Sequence, residues 1–271
     1  MVVMSYLDLD TKKLSKMLVA FIKSYCSKSD FKKVVLGLSG GLDSAVVAYL
    51  ACRALGRKNV LALILPYKNS NLEGIRDARQ IVKALRIKSK LIDITPMIDA
   101  YYRRYPDRNR IRKGNKLARE RMSILYDFSA KENALVIGTG NKTETLLGYC
   151  TLHGDAAYAF NPIGDLYKSQ VRLLAKELGV PQKIIDKPPS ADLWKGQTDE
   201  GELGATYQQM DRFLYYLVDK KYSPARLKKL GYKSDFIRKI ISIMKRNEFK
   251  RRLPEIAKIP YSKIMVSRGD S

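Results

Sequence analysis

The 271-residue sequence predicts an α/β fold, a doubly wound, Rossmann-like parallel sheet flanked by helices, followed by a C-terminal helical segment. Apolar runs of strand length alternate with helical patterns between residues 33 and 94, which is the order typical of a parallel sheet. Residues 60–65 are apolar throughout, as expected of a strand that helices cover on both faces. Because such sheets bind ligands beyond the carboxyl ends of their strands, the residues that follow each strand are the candidate site.

The elements follow one another along the chain with recognisable boundaries. Residues 14–25 place apolar side chains at three- and four-residue spacing, which predicts a first helix capped by Asp10 or Thr11. Strands are predicted at residues 34–36, 60–65, 90–94 and 134–138, and helices at 45–55, 72–85, 115–131, 166–178, 203–219 and 235–246. Residues 99–113 show no clear period. Residues 187–204 form the longest irregular segment, with the length typical of a lid or a binding loop.

The turn after the first strand carries the strongest functional signal. It reads Gly37-Leu38-Ser39-Gly40-Gly41-Leu42-Asp43-Ser44. A glycine-rich turn between a strand and a helix directs several backbone N–H groups and the positive end of the helix dipole to one point, which favours an anion such as phosphate. An acid, Asp43, stands where a Walker loop has lysine, and an acid beside a phosphate indicates a bridging divalent cation.

Composition excludes several classes of protein. The formal charge of +24 is spread over every predicted helix, which favours a solvated surface over a nucleic-acid-binding face. No apolar run approaches the ~20 residues needed to cross a bilayer, and the acidic N-terminus lacks the basic region of a secretory signal. We therefore expect a cytoplasmic protein without membrane contact. The three cysteines, Cys26, Cys52 and Cys150, show no Cys-x-x-Cys spacing, which disfavours a zinc site and a disulfide framework.

Two polar positions further along the chain indicate chemistry less directly. Lys168 lies in the first turn of a predicted helix, where the positive end of the dipole disfavours a cation, so an anion is expected nearby. Asp155 and the only histidine, His153, lie in a turn-rich segment. His153 has no Cys or His neighbour and is interpreted as a packing or hydrogen-bonding residue, whereas the pattern alone leaves the role of Asp155 open.

Three further segments resemble motifs of a known enzyme family. They are Gly114-Asn115 with Ala118-Arg119-Glu120-Arg121-Met122, then Gly138-Thr139-Gly140-Asn141-Lys142-Thr143-Glu144, and then Lys187-Pro188-Pro189-Ser190-Ala191-Asp192-Leu193-Trp194 with Gly196-Gln197-Thr198-Asp199-Glu200. With the S-G-G-x-D-S loop before them, these segments resemble NAD synthetases, members of the ATP pyrophosphatase superfamily. The resemblance covers residues 12–255.

The resemblance implies a ligase reaction and an assembly. ATP would adenylate the nicotinate carboxylate of deamido-NAD and release pyrophosphate, and ammonia would then displace AMP to give NAD. The implied organisation is one domain over residues 1–271, with a nucleotide-binding core (12–186), a lid (187–204) and C-terminal helices with a basic tail (205–271). A homodimer with an interface around residues 115–131 is expected. Only 36 residues precede Gly37, too few for a glutaminase domain, so the expected donor is ammonia, with a separate glutaminase left open.

The resemblance also implies roles for individual residues. The implied ATP-binding residues are Gly37, Leu38, Ser39, Gly40, Gly41, Leu42, Asp43, Ser44, Thr139, Lys168 and Ser190. Asp43 and Glu144 would hold Mg²⁺. Asp43 and Asp155 would be catalytic, with Asp155 orienting or deprotonating the incoming ammonium. Arg119 and Lys250 would contact deamido-NAD.

The positions expected to contact deamido-NAD depart from the family pattern at Leu152, Ala159 and Phe249, where polar residues are usual.

Two alternative functions remain. A tRNA-modifying enzyme that adenylates a base would share the S-G-G-x-D-S loop, but such enzymes usually carry cysteine pairs or an RNA-binding domain that this sequence does not show. An ATP-binding module without turnover would not need the further carboxylates of Glu144 and Asp155.

Overall fold

A parallel sheet organises the computed structural model, which describes residues 7–189, 201 and 204–260. Within these ranges, β1 (Lys33–Gly37), β2 (Val60–Ile64), β3 (Lys88–Leu91) and β4 (Ala134–Val136) lie in the order β3-β2-β1-β4. All neighbouring strands pair in parallel. The chain moves outward from β1 to β3 and then places β4 on the other side of β1. The strand order therefore reverses between β1 and β4, which is the switch point at which such sheets bind ligands.

Helices cover both faces of the sheet. They are α1 (Thr11–Lys28), α2 (Leu42–Leu55), α3 (Leu72–Leu85), α4 (Thr95–Arg104), α5 (Arg110–Glu132), α6 (Lys142–Leu147), α7 (Lys168–Leu178), α8 (Gln182–Asp186), α9 (Tyr207–Leu214), α10 (Pro224–Lys229) and α11 (Ser234–Arg246), with a π-helical turn at Tyr215–Asp219 and 3-10 turns at Arg57–Asn59 and Glu248–Arg251. Helices α1, α2, α3 and α7 pack on one face, and α4 and α5 pack on the other. The predicted doubly wound α/β fold is confirmed.

The side chains of β1 show why the sheet is buried on both faces. Val34 and Leu36 belong to the core formed with α1, α2 and α7, whereas Val35 belongs to the core formed with α4 and α5. All three side chains are fully buried. Successive residues of a strand point to opposite faces, so an unbroken apolar run is required when both faces are covered.

The C-terminal helices have a core of their own, which packs against α6 and the start of α7. Its buried members are Leu147, Tyr167, Tyr207, Met210, Phe213, Leu214, Leu227, Ile237 and Ile240. Helix α9 contacts both α6 and α7. This segment therefore lies at the carboxyl edge of the sheet. No helix in the described ranges is long and apolar enough to span a membrane.

Two predicted boundaries on the β3 side of the sheet were wrong. The third strand covers Lys88–Leu91 rather than residues 90–94, and all four of its residues are exposed. An exposed edge strand needs no apolar run, so the sequence pattern shifted the prediction to the apolar residues that follow. Helix α4 occupies residues predicted to be irregular. Only Ile98 of α4 is buried, and the residues that follow it at helical spacing are tyrosines, which give a weaker signal than an aliphatic stripe.

Helix α5 begins before the predicted start at Gly114. Asn109 is the N-cap, and its side chain accepts a hydrogen bond from the Arg112 backbone N–H at 3.1 Å. Gly114 lies inside the helix and is buried. The glycine was interpreted as a helix start, but the asparagine cap five residues earlier sets the boundary. The short helix α10 was not predicted, since Leu227 is its only buried residue.

Candidate active site

The glycine-rich turn after β1 is held by hydrogen bonds between its own serines and glycines. The Gly41 backbone N–H donates to Ser39 Oγ at 3.2 Å, and Ser44 Oγ donates to the Gly41 carbonyl at 3.1 Å. Gly41 is the N-cap of α2, and in the described part of the chain no side chain caps this helix. The N–H groups of its first turn are therefore directed to the space beyond β1, where they can bind an anion.

Gly40 allows this turn to pack against α3. Its φ is +79°, in the left-handed region. A Cβ atom at this position would lie 2.1 Å from the Gly74 carbonyl oxygen, a distance that real Cβ atoms do not adopt. Glycine is thus required at position 40 both by backbone conformation and by the close approach of α3.

Asp43, Glu144 and Lys168 meet at the switch point between β1 and β4. Asp43 lies in the first turn of α2, Glu144 in the first turn of α6, and Lys168 is the first residue of α7. Lys168 Nζ pairs with the Asp43 carboxylate and lies 3.6 Å from Glu144 Oε1. The Lys168 side chain is 7% exposed. The anion expected near Lys168 is therefore a pair of carboxylates, whose charge offsets the unfavourable helix dipole.

Asn141 connects the two carboxylates. Its Oδ1 accepts a hydrogen bond from the Glu144 backbone N–H at 3.0 Å, and Glu144 Oε2 accepts one from the Asn141 N–H at 3.2 Å, which forms a capping box. Asn141 Nδ2 donates to Asp43 Oδ1 at 3.3 Å. Asn141 is fully buried. The sequence analysis gave this residue no role, although the spacing of Asn and Glu is the signal of a capping box.

The donor set of this cluster fits Mg²⁺. Asp43 and Glu144 present hard carboxylate oxygens around a single cationic group. Among the described residues, no group of three or more His, Cys, Asp and Glu side chains forms a complete metal cage. Magnesium is commonly bound by one or two carboxylates, with substrate phosphates and water as the other ligands.

Asp155 lies in a second group of polar residues. Its Oδ1 accepts a hydrogen bond from the Thr151 backbone N–H at 2.7 Å, and Thr151 Oγ1 donates to Asn115 Oδ1 at 2.8 Å. The Asp155 residue is exposed to solvent. Surrounding protein atoms raise the pKa of Asp155, while the Thr151 hydrogen bond and the charges of Lys250 and Arg121 oppose this without cancelling it. A carboxylate with a raised pKa is a stronger base.

The predicted acceptor contacts lie around the same loop. Arg119 Nε donates to the Leu152 carbonyl at 3.2 Å. Lys250 Nζ donates to the carbonyls of Gly148 and Cys150 at 2.8 and 2.9 Å, which satisfies backbone groups at the end of α6. Both cations are therefore held by backbone oxygens within reach of the Asp155 loop.

Cys150 lies in the chain between the end of α6 and Asp155. Burial raises the pKa of its thiol to about 11, and the negative charges of Asp155 and Glu144 act in the same direction.

The remaining predicted residues fall into three classes. Leu38 and Leu42 are buried in the core, so only their backbones can reach a nucleotide. Gly37 ends β1, and Thr139 lies between β4 and α6. Ser190 and most of the predicted lid lie outside the described residues.

Two residues of α9 were missed by the sequence analysis. Tyr207 Oη lies 3.5 Å from Glu144 Oε1, and Lys168 Nζ stands over the Tyr207 ring at 5.2 Å from its centre. Asp211, one turn later on α9, is fully buried beside the same two helices. No local sequence signal indicates that this helix faces the site.

Comparison with known proteins decides which family has this arrangement. The family model described as NAD synthase matches residues 14–254. The chain belongs to the NAD synthase family. The recognition made from the sequence motifs is confirmed.

Relatives of this NAD synthase family member are named as NAD synthetases or as an NMN synthetase. An NH(3)-dependent NAD(+) synthetase of Trichlorobacter lovleyi is 52% identical over 256 residues, which cover 94% of each chain. The solved NH3-dependent NAD synthetase of Campylobacter jejuni, in complex with a nitrate ion, has a TM-score of 0.79 and 38% identity, with coverage of 92% of this chain and 100% of that one. The solved NMN synthetase of Francisella tularensis has a TM-score of 0.83 and 38% identity, with coverage of 93% and 100%.

Proposed function

We infer that this chain is an ammonia-dependent ligase that converts deamido-NAD to NAD. The nicotinate carboxylate attacks the α-phosphorus of ATP, and pyrophosphate leaves. Ammonia then attacks the activated carbonyl, loses a proton, and expels AMP. The observation that carries this conclusion is the cluster of Asp43, Glu144 and Lys168 at the switch point of a NAD synthase family fold.

The phosphates of ATP are proposed to bind at the start of α2. The N–H groups beyond Gly41 and the ammonium of Lys168 would stabilise the negative charge that develops as pyrophosphate leaves. Residues 37–44 would form the floor of this site, and Thr139 and Ser190 would supply further contacts to ATP. These two contacts rest on the sequence motifs.

Asp43 and Glu144 are proposed to hold Mg²⁺. The bound ion would supply positive charge that neutralises the phosphate oxygens. Asn141 contributes by fixing the Asp43 carboxylate through its side-chain amide and the Glu144 carboxylate through its backbone N–H, which lowers the cost of ordering them when substrate binds.

Asp155 is proposed to receive the proton that ammonium must lose before it attacks. Its raised pKa and its exposure to solvent suit a base that meets a small cation. Arg119 and Lys250 are proposed to contact the acceptor near this loop. Leu152 stands where the family usually has a polar residue, so the acceptor contacts rest more heavily on these two cations.

A homodimer is proposed, with α5 and α1 in the interface. Met17, Phe21 and Tyr126 are 60%, 42% and 43% exposed, and the rings of Phe21 and Tyr25 lie 6.1 Å apart. Solvent-exposed apolar and aromatic side chains of this size favour burial against a second copy. Sedimentation of the wild type against a Phe21→Asp variant tests this, and a monomeric wild type would contradict it. A separate glutaminase and a cytoplasmic location stay predictions.

One assay tests the proposed reaction. The protein is incubated with ATP, Mg²⁺, ammonium and deamido-NAD, and the amounts of NAD, AMP and pyrophosphate formed are measured. We expect these three products to form in equal amounts. A parallel reaction with nicotinate mononucleotide tests the smaller acceptor, because one similar solved structure is described as an NMN synthetase. Turnover of nicotinate mononucleotide without turnover of deamido-NAD would show that the mononucleotide is the acceptor. Pyrophosphate release that depends on tRNA would favour a base-modifying enzyme.

A further inference from the structure

A buried carboxylate on α9 joins the two helices that carry Glu144 and Lys168. Asp211 is fully buried. Its Oδ1 accepts a hydrogen bond from Thr143 Oγ1 at 2.5 Å, and its Oδ2 accepts one from the Ser169 backbone N–H at 2.7 Å. One side chain therefore binds the first turn of α6 and the first turn of α7.

The connection closes into a small ring. Thr143 Oγ1, which donates to Asp211, also accepts a hydrogen bond from the Lys168 backbone N–H at 3.2 Å. Thr143 precedes Glu144, and Ser169 follows Lys168. Each of the two site residues is thus one position from a group that Asp211 holds, so a shift of Asp211 would move both.

The same face of α9 contacts the site side chains directly. Tyr207 and Asp211 are four residues apart and so lie on one face of the helix. The Tyr207 ring lies under Lys168 Nζ, and its hydroxyl lies near Glu144 Oε1. Helix α9 therefore holds the backbone next to Glu144 and Lys168 through Asp211, and it contacts the side chains of these two residues through Tyr207.

Burial of Asp211 is costly unless its oxygens are well bonded. The desolvation of this carboxylate raises its pKa, and the hydrogen bonds from Thr143 and Ser169 compensate only in part. The hydrophobic core of the C-terminal helices would accept an apolar residue at position 211 with a smaller desolvation cost. The presence of a carboxylate at position 211 therefore indicates a role other than stabilising the hydrophobic core.

We propose that Asp211 is a positioning residue that holds the first turns of α6 and α7 so that Lys168 and Glu144 face ATP in a fixed relative geometry. The inference deepens the proposed function and rests on the proposed roles of those two residues. Outer residues that orient ligand-bearing groups commonly change affinity or activity by about 10- to 100-fold when they are replaced.

The test compares Asp211→Asn with a core variant of the same helical segment. Leu227→Ala removes buried apolar volume from this core on α10, whose main contacts are with α11 and the π-helical turn rather than with α6 or α7. Each variant is measured for its unfolding midpoint, for the KM of ATP and kcat, and for ATP binding by calorimetry with and without Mg²⁺. We expect Asp211→Asn to weaken ATP binding about tenfold or more, and Leu227→Ala to lower the midpoint with little change in ATP binding.

A second pair keeps the test valid if Asp211→Asn does not fold. Thr143→Val removes the hydroxyl that bridges Asp211 and the Lys168 N–H, and Thr143→Ser retains it. We expect the serine variant to keep the ATP affinity and the valine variant to lose it. The proposal would be overturned if Thr143→Val bound ATP as tightly as the wild type. It would also be overturned if Leu227→Ala lost as much ATP affinity as Asp211→Asn. Because ATP binding is measured directly, the result does not depend on which acceptor is turned over.

Discussion

Lys168 pairs with Asp43 across 125 residues of sequence, and the pair lies at the reversal in strand order between β1 and β4. The lysine begins a helix whose dipole disfavours it, so the carboxylate is needed to keep it there. The contact joins the glycine-rich turn after β1 to the part of the chain that follows β4. It also makes the site sensitive to the loss of one charge.

Lys168→Met is expected to abolish turnover and to destabilise the protein by about 3 kcal/mol, because a carboxylate loses its buried partner. The same variant should bind Mg²⁺ more tightly in the absence of ATP, since Asp43 and Glu144 are no longer neutralised. Calorimetry with Mg²⁺ alone measures this. Lys142→Met is the matched control, because Lys142 is 16% exposed and pairs with Asp165 and Asp219 away from Asp43. Unchanged Mg²⁺ affinity in Lys168→Met would contradict the proposed metal pair.

Asp155→Asn is expected to separate the two halves of the reaction. Pyrophosphate release should persist, while NAD formation falls by about 10² or more, because no base remains for the ammonium proton. The ratio of the wild-type to the variant rate should rise with pH as Asp155 loses its proton. Its raised pKa places that rise above the range in which ordinary aspartates titrate. The ratio cancels the titration of ammonium itself. Equal loss of pyrophosphate release and NAD formation would refute the role of Asp155.

Gly40→Ala is expected to destroy ATP binding, because the new methyl group meets the Gly74 carbonyl and displaces the phosphate-binding turn. Gly179→Ala provides the control. Gly179 has the same φ of +79°, but a Cβ atom there meets nothing within 4 Å. Both variants carry the backbone cost of about 1–2 kcal/mol, and only Gly40→Ala adds a collision. Retention of ATP binding in Gly40→Ala, measured by calorimetry, would show that the turn adjusts.

The buried carboxylate of Asp77 is expected to stabilise the protein only above acid pH. Burial alone would raise the pKa of Asp77, but the hydrogen bond from Lys187 and the ion pair with Lys183 outweigh it and hold the pKa below its usual range. The carboxylate therefore adds stability above its unfolded pKa of about 3.9, and this contribution is lost as pH falls through the lower folded value. Urea unfolding of the wild type and Asp77→Asn across acid pH measures the difference. A difference that grows toward low pH would have the wrong sign.

Lys187 and Lys183 provide an internal comparison for the same carboxylate. Lys187 Nζ lies 2.7 Å from Asp77 Oδ2 and is 22% exposed, whereas Lys183 Nζ lies 3.2 Å from Oδ1 and is 57% exposed. Lys187→Met should cost about 3 kcal/mol of unfolding free energy. Lys183→Met should cost clearly less, because water screens the more exposed pair. Equal losses would mean that exposure does not set the strength of these pairs.

Much of the sheet and the phosphate-binding turn could be predicted because their signals are local. The strand before Gly37, the turn and the start of α2 are contiguous, and their backbone geometry follows from the glycines. Glu144 could be placed near Asp43 because both follow strands of one parallel sheet. Helix α4 was not predicted, since Ile98 is its one buried residue and the residues that follow it at helical spacing are tyrosines rather than aliphatic side chains.

The contacts that complete the site could not be predicted because they join distant segments. Asp211 meets Thr143 and Ser169 at separations of 68 and 42 residues, and no periodic pattern reports such a contact. The anion near Lys168 could be predicted from the helix dipole, but its identity as Asp43 and Glu144 required the tertiary structure. Propensity and spacing specify the elements, whereas buried polar partners are specified by the way the elements pack.

The position of α9 has a consequence for synthesis on the ribosome. The nascent chain presents every strand of the sheet and both first turns, of α6 and α7, before residue 211 has been polymerised. The hydrogen bonds from Thr143 and Ser169 to Asp211 therefore form only after residue 211 has been synthesised. A chain released early would carry the phosphate-binding motif without the carboxylate that joins α6 to α7. We expect nucleotide affinity to mature only after α9 has been synthesised and has packed against α6 and α7.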